Sequence, residues 1–431
     1  MENLQRWSKY YLKISYLFII LAVLIFGIAA GFSYGLKIQS PPGSDPHQTF
    51  LLEIYDQVKA NYWGDLTDEQ LTNSFRLAAE KLTGKKQTLK TPNRRGLQSM
   101  LEDIIAPLPP DQKKEIAINI GDIVLANLTP FGRSRLYTSK KEQALQDTIS
   151  NVDQNTDLYQ VLGVSTSADQ NEITRAYEEK KSEYAANDSS EAKEKMATLS
   201  RAYEALGNEF SKQRYDQVKA EPTVVSRLLT PDIIYLQIKK IAPATPAEFK
   251  KWADDLNNKP PPTSLIIDLR NNLGGDLDTL PIFTGFWLGQ NQYAFELFKQ
   301  GEAKPIKTTT ASLPALLDFK KNVVLINNET KSSAEVLAAM LKKYNLAVIV
   351  GDKTKGWGTV ESFYQLKTQF NQDETYSILM VHSVTLRDDG QPIESRGVEP
   401  DIKITDTNWE KKLLEYYNYQ PLIDAVKQVI N

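Results

Sequence analysis

The stretch SLIIDLRNNLGGDLD, Ser264 to Asp278, opens as an apolar run and closes on two adjacent glycines. A short apolar run bounded by turn residues reads as a buried strand, and Gly274 and Gly275 read as a tight turn that follows it. Neighbouring segments share this texture. IIYLQI from Ile233, NVVLIN from Asn322 and LAVIVGD from Leu346 are short β-branched or apolar runs that alternate with helix-like segments. Strands alternating with helices predict an α/β domain over residues 222–431, with NNKPPPTS as a loop inside it.

Towards the amino terminus the patterning is helical. Residues 156–217 read as a compact helical unit and 45–151 as a helical region. In the latter, Leu51, Leu52, Ile54, Tyr55, Val58 and Tyr62 form one apolar stripe and Leu71, Phe75, Leu77, Ala78 and Leu82 another. Ile14 to Leu36 is an uncharged run of 23 residues, and a helix rising about 1.5 Å per residue over that length crosses a ~30 Å hydrocarbon core. Arg6, Lys9 and Lys13 precede it against Glu2. The positive-inside rule then predicts residues 1–13 in the cytoplasm, 14–36 spanning the cell membrane once, and the main body outside. The alternative is a cleaved signal peptide, with Ala29 and Ala30 available to a peptidase, although such apolar regions usually run only ~7–15 residues. The expected fold class is therefore a multi-domain α+β protein: a transmembrane helix, a helical region, a helical hairpin unit and a C-terminal α/β core.

Composition narrows the chemistry. With 431 residues and a formal net charge of -3, the chain offers several cores and no strongly basic domain, so nucleic acid is not an expected partner. The absence of cysteine excludes disulfides, thiolate zinc sites and cysteine nucleophiles. Only His47 and His382 are present, neither in a metal-binding spacing, so neither a metal nor another cofactor is expected. Oligomeric state is left open by the sequence.

DLYQVLGVSTSADQNEITRAYEEKKSEYAAND, continued by MATLSRAYEALGNEFSKQRYD, resembles a J-domain. Ile173, Tyr177 and Tyr184 line one helix, and Met196, Leu199, Tyr203 and Leu206 recur on the next, so two stripes can bury each other. The family stimulates its chaperone partner through a His-Pro-Asp loop after a basic helix. Here Ala185, Ala186 and Asn187 occupy that loop, and Glu172 to Glu183 carries four acidic residues against Arg175, Lys180 and Lys181. The resemblance thus implies a spacer or docking module, with a membrane-tethered co-chaperone as the alternative.

Residues from about Val224 to Ile404 resemble the carboxy-terminal processing, or tail-specific, serine peptidases. IIYLQIKKI resembles the strand that opens their core, SLIIDLRNNLGGDLD their Asp-Leu-Arg-x-Asn-Pro-Gly-Gly signature, and ESRGVEPDIKI their closing Gly-x-x-Pro-Asp element. The helical segment LLEIYDQVKANYWGDLTDEQL, with LYTSKKEQAL, resembles the region ahead of their PDZ module. The J-like unit stands in the PDZ position. The resemblance implies a ββα, crotonase-like core and a Ser-Lys dyad, in which a desolvated lysine takes the serine proton.

In NNETKSSAEVLAAML the resemblance puts the nucleophile at Ser332, and it gives Gly274 and Gly275 an oxyanion-stabilising turn. Aligning GDKTKGWGTVE without a gap places Trp357 on the lysine and Glu361 on a glutamine. An indole has one N–H donor and no lone pair for a proton, so Trp357 is not a general base. Lys355, Lys353 and Lys331 remain as surrogates; residues two apart in an extended loop point to one side, displaced by about 6–7 Å, which favours Lys355. The plainer alternatives stand beside these: Ser332 and Glu335 as a capping box, the glycines as a turn, Trp357 as an aromatic plug, and His382 as a neutral histidine in the apolar strand YSILMVHSVTL. The leading expectation is a pseudoprotease that binds polypeptide tails or a partner protein, and the alternative is a serine endopeptidase using Ser332 with Lys355.

Overall fold

The structure, a computed structural model, describes residues 45–187, 189–256, 262–370, 374–387 and 389–430. Among them no helix is long and apolar enough to cross a membrane. The longest run to 17 residues and carry several charges each. The run Ile14–Leu36, expected to span the bilayer, lies outside the described residues. The expected fold class is corrected accordingly: the described architecture is multi-domain α+β with a helical region and an α/β core, and it contains no transmembrane element.

The chain begins with α1 (Pro46–Asn61), α2 (Asp68–Thr83), α3 (Arg94–Ile105) and α4 (Pro110–Ala126). Asp45, Thr67 and Asn93 cap the first three by accepting backbone N–H bonds, and Gly84 ends α2 in the left-handed conformation. Their apolar stripes, including Phe50, Leu51, Ile54, Leu71, Phe75, Leu97 and Leu101, pack into one core. After β1 (Arg135–Thr138) and α5 (Ser139–Ile149) comes the inserted unit, α6 (Leu158–Leu162), α7 (Gln170–Ala185), α8 (Ser190–Leu206) and α9 (Glu209–Val218). It has its own core of Leu158, Ile173, Leu199, Leu206 and Tyr215, and Tyr177 stacks on Tyr203 at 4.0 Å.

The remaining elements are β2 (Val224–Thr230), β3 (Ile233–Ile238), α10 (Thr245–Leu256), β4 (Ser264–Asp268), α11 (Leu280–Leu288), β5 (Tyr293–Lys299), β6 (Glu302–Lys307), α12 (Pro314–Leu317), β7 (Lys321–Ile326), α13 (Ser333–Lys343), β8 (Val348–Gly351), β9 (Thr359–Gln365), β10 (Tyr376–Leu386), β11 (Ile402–Lys403), α14 (Trp409–Tyr417) and α15 (Gln420–Ile430). One sheet has the order β11-β8-β7-β4-β3-β2, parallel except for β2. All five residues of β4 are buried, as a central strand covered on both faces requires. Leu265 and Ile267 enter the core shared with α10, α11 and α13, while Ile266 enters the opposite one, beneath α14 and α15.

The second sheet is built around β10. β9 pairs along one side of it, β1 and β5 along the other, and β6 lies outside β5. Alternation along the strands divides its faces: Leu136, Ile378 and Met380 enter the core of α1–α4, whereas Arg135, Tyr137, Phe363 and Leu379 face a cleft.

Candidate active site

Three loops converge on this cleft, each leaving the carboxyl end of a parallel strand: the one after β4 carries Gly274 and Gly275, the one after β7 Ser332, and the one after β8 Trp357. β8, β7 and β4 are adjacent, so residues up to 83 positions apart, Gly274 and Trp357, meet at one edge of the sheet. The cleft encloses about 590 Å³.

Ser332 stands at φ 58° and ψ −132°, directly before α13. An ordinary N-cap serine has extended backbone angles, so a capping box alone does not account for this residue. A side chain held at positive φ stores strain, which persists only where the surroundings enforce it. They do: a β-carbon on Gly274 would lie 2.6 Å from Ser332 Cβ, and Gly274 itself has φ 81°. Glycine is therefore required there. The neighbouring Ser333 hydroxyl is buried with no hydrogen-bond partner among the described residues.

The two glycines differ. The Gly274 amide donates to Asn272 Oδ1 at 2.8 Å, and Asn272 is anchored by donating to Ile238 O at 2.7 Å. No hydrogen bond engages the Gly275 amide among the described residues, and Gly275 lines the cleft. Of the expected oxyanion pair, only Gly275 has a free donor.

Glu335, fully buried in the first turn of α13, holds two of the three loops together. Its Oε2 accepts from the amides of Ser332 at 3.0 Å and Trp357 at 2.7 Å; its Oε1 accepts from Thr354 Oγ1 at 2.5 Å and the Gly356 amide at 2.8 Å. Burial raises its pKa, against which these bonds act. In the sequence Glu335 stands out only as a helix-capping partner and as the motif glutamate from which Ser332 is counted.

Trp357 lines the cleft with Ser332, and its indole N–H donates to Glu361 Oε1 at 3.3 Å. Burial pushes the Glu361 carboxyl up, while bonds from Thr359 Oγ1, at 2.6 Å, and Trp357 oppose it. Over the indole lies Arg133, its guanidinium carbon 3.3 Å from the ring centroid. Arg133 also donates to Glu394, which accepts from the Gly358 amide at 2.8 Å. Nothing in the sequence pointed to Arg133, since it lies in the helical region's last loop.

Lys355 does not line the cleft: it is 50% exposed and pairs with Glu329 at 3.7 Å. Lys353 is likewise half exposed and pairs with Glu399. Lys331 does line the cleft, its ammonium 5.6 Å from the Trp357 ring. Extended-loop spacing does not bring Lys355 to Ser332, because its ammonium turns to Glu329 outside the cleft.

His382 belongs to β10, as the apolar pattern predicts, yet it also faces the cleft. The β9–β10 register shifts between Val381 and Ser383, leaving His382 as the extra residue of a bulge that re-aims its ring. Its Nδ1 lies 2.7 Å from Ser383 Oγ, and burial, then Lys299, lowers its pKa. Among the described residues no cluster of His, Asp and Glu forms a metal site.

Comparison with known proteins agrees with this arrangement. Residues 232–404 match the pattern of peptidase family S41, and residues 157–216 that of the DnaJ domain. A probable CtpA-like serine protease of Staphylococcus epidermidis is 27% identical over 146 residues, covering 34% of this chain and 28% of that protein. One of Staphylococcus aureus is 30% identical over 141 residues, covering 32% and 27%. The matched region is thus less than a third of either relative. Among solved structures, a photosystem II D1 C-terminal processing protease aligns over 84% of this chain and 94% of its own at 14% identity with a TM-score of 0.46. A lipoprotein from Streptococcus agalactiae aligns over 89% and 99% at 15% identity with a TM-score of 0.44. With its strand order, its converging loops and the matched pattern, the domain at residues 232–404 belongs to peptidase family S41, the carboxy-terminal processing proteases, and it follows a DnaJ-type domain in the chain.

Proposed function

We propose that the cleft binds extended polypeptide tails, or a partner protein presenting one, and does not hydrolyse them through a Ser-Lys dyad. The observation that carries this reading is Trp357. It occupies the position that the resemblance gives to the lysine, and its single N–H is already donated to Glu361. Strand addition is supported by β9, which among the described residues pairs with β10 on one side only and whose residues Thr359 to Phe363 line the cleft. The module ahead of the core has Ala185, Ala186 and Asn187 in its loop and serves as a docking or spacer unit in this reading.

The strained backbone of Ser332 and the free amide of Gly275 favour a second reading, a serine endopeptidase with a surrogate base. In that case Lys331 is the lysine to which the serine proton would go, because Lys355 stands outside the cleft. The test is incubation of the full-length protein with an unfolded, apolar-tailed protein, beside a Ser332→Ala variant. The pseudoprotease reading expects binding without fragments in both. Fragments that disappear with Ser332→Ala overturn it in favour of the second.

A further inference from the structure

The cleft has a wall that does not belong to the peptidase fold's two sheets. Leu145 and Ile149, one turn apart on α5, line it beside Ser332, Leu273 and Val336. α5 itself contains no fully buried residue. Its other face, with Gln143, Gln146, Asp147 and Ser150, borders a second cavity of about 510 Å³, across which lie Arg214 and Pro243. A helix with open space on both sides is fixed by its ends rather than by packing.

The first end is held by the second sheet. Glu142 accepts from Ser377 Oγ at 2.6 Å and from Gln365 Nε2 at 3.1 Å, and the Ser139 amide donates to Thr375 O. The last turn is held by Lys240, which donates to Thr148 O, and just beyond it Asp153 pairs with Arg201 of α8. Arg201 also pairs with Glu221, where the chain leaves the module. The module in turn is pinned to the core by Arg214 with Glu248 and by Glu204 with Lys239.

The geometry points to Leu145 and Ile149 as the apolar wall that selects the polypeptide entering the cleft, with the DnaJ-type module as the abutment that holds this wall in place. This rests on the reading that the cleft takes polypeptide. A side chain of the bound strand that meets Leu145 and Ile149 loses apolar surface to them, so valine is preferred over serine there. Backbone pairing along β9 is common to both.

The experiment uses the full-length protein and two fluorescein-labelled ten-residue peptides, one alternating valine and threonine, the other with serine for every valine. The valine peptide is expected to bind roughly tenfold tighter or more. In Leu145→Ser/Ile149→Ser that ratio falls towards one while the affinity for the serine peptide stays the same, a pattern that simple loss of fold does not produce. Asp153→Asn, which removes the ion pair tying the end of α5 to α8 but leaves Arg201 on Glu221, is expected to speed amide hydrogen exchange in the last turn of α5 without changing α8, and to lower the ratio. A ratio that persists in the double variant overturns the selecting role and leaves tail binding intact. Unchanged exchange in Asp153→Asn overturns the abutment. Binding of neither peptide by the unmodified protein overturns this inference together with the tail-binding reading.

Discussion

Arg133 stacks on Trp357 at 3.3 Å, and through Glu394 it is bound to the main chain of the very next residue, Gly358. A cation from the helical region therefore caps the side chain that stands where the family resemblance places a basic lysine. The chemistry at residue 357 is set by this neighbour as well as by the residue itself.

A lysine introduced at 357 would be partly desolvated and next to the Arg133 charge, both of which favour its neutral form, while the Glu361 carboxyl that now accepts from the indole opposes them. Trp357→Lys is expected to cleave an unfolded, apolar-tailed protein where the unmodified chain does not, with a rate that rises with pH and vanishes when Ser332→Ala is added. Gel analysis of fragments across pH 6 to 10 reads this out. Absence of product at every pH would show that Ser332 and the Gly275 amide are not arranged for attack.

Glu335→Gln replaces an acceptor with an amide group at a carboxylate that takes four hydrogen bonds while fully buried. Depending on which oxygen the amide nitrogen replaces, either the Gly356 amide or both the Ser332 and Trp357 amides lose their acceptor. The expected cost is about 3 kcal/mol of stability, measurable as a lowered urea midpoint with unchanged slope. A change below ~0.5 kcal/mol would mean that the loops are held by other contacts.

Glu361 titrates above the ordinary carboxylate range because it is buried. A carboxyl whose folded pKa exceeds its unfolded one binds more protons in the folded state, so its contribution to stability falls as pH rises from the unfolded value, near 4.3, through the folded one. Glu361→Gln keeps an acceptor for Trp357 and Thr359 and removes this loss. The variant is expected to gain stability relative to the unmodified protein between pH 4 and pH 8, followed by urea unfolding at each pH. A constant difference across that range would contradict it.

His382 titrates below 6.5, chiefly because burial disfavours its charged form. Its folded pKa lies under the unfolded one, so the stability it contributes is present above pH 6.5 and declines as pH falls from there through the folded value. With only two histidines in the chain, their ring protons are readily assigned by NMR using His47→Gln. A His382 midpoint at or above 6.5 would remove the burial account.

The core was legible because its signals are local. SLIIDL, NVVLIN and LAVIVG are central strands buried on both faces, and such strands must be written as continuous apolar runs. Ser332, Gly275 and Trp357 were placed by motifs that lie within a few residues of those strands. The failures are of two kinds. Extended-loop spacing favours Lys355, whereas the fold turns it outward to Glu329. Arg133, Leu145 and Ile149 reach the cleft from a region separated from the motifs by a whole inserted module, and no spacing rule connects them. The bulge that turns His382 towards the cleft is likewise invisible in the run YSILMVHSVTL, where alternation only marks a strand.

Glu335 grips residues 356 and 357 by their main-chain amides and makes no bond to the Trp357 side chain. The anchoring of the loop main chain by Glu335 therefore does not depend on which side chain residue 357 carries. Over evolutionary time such a framework can drift between catalyst and receptor by exchanging the side chains at 357 and 361, with the hinges of the site already in place on either side of the exchange.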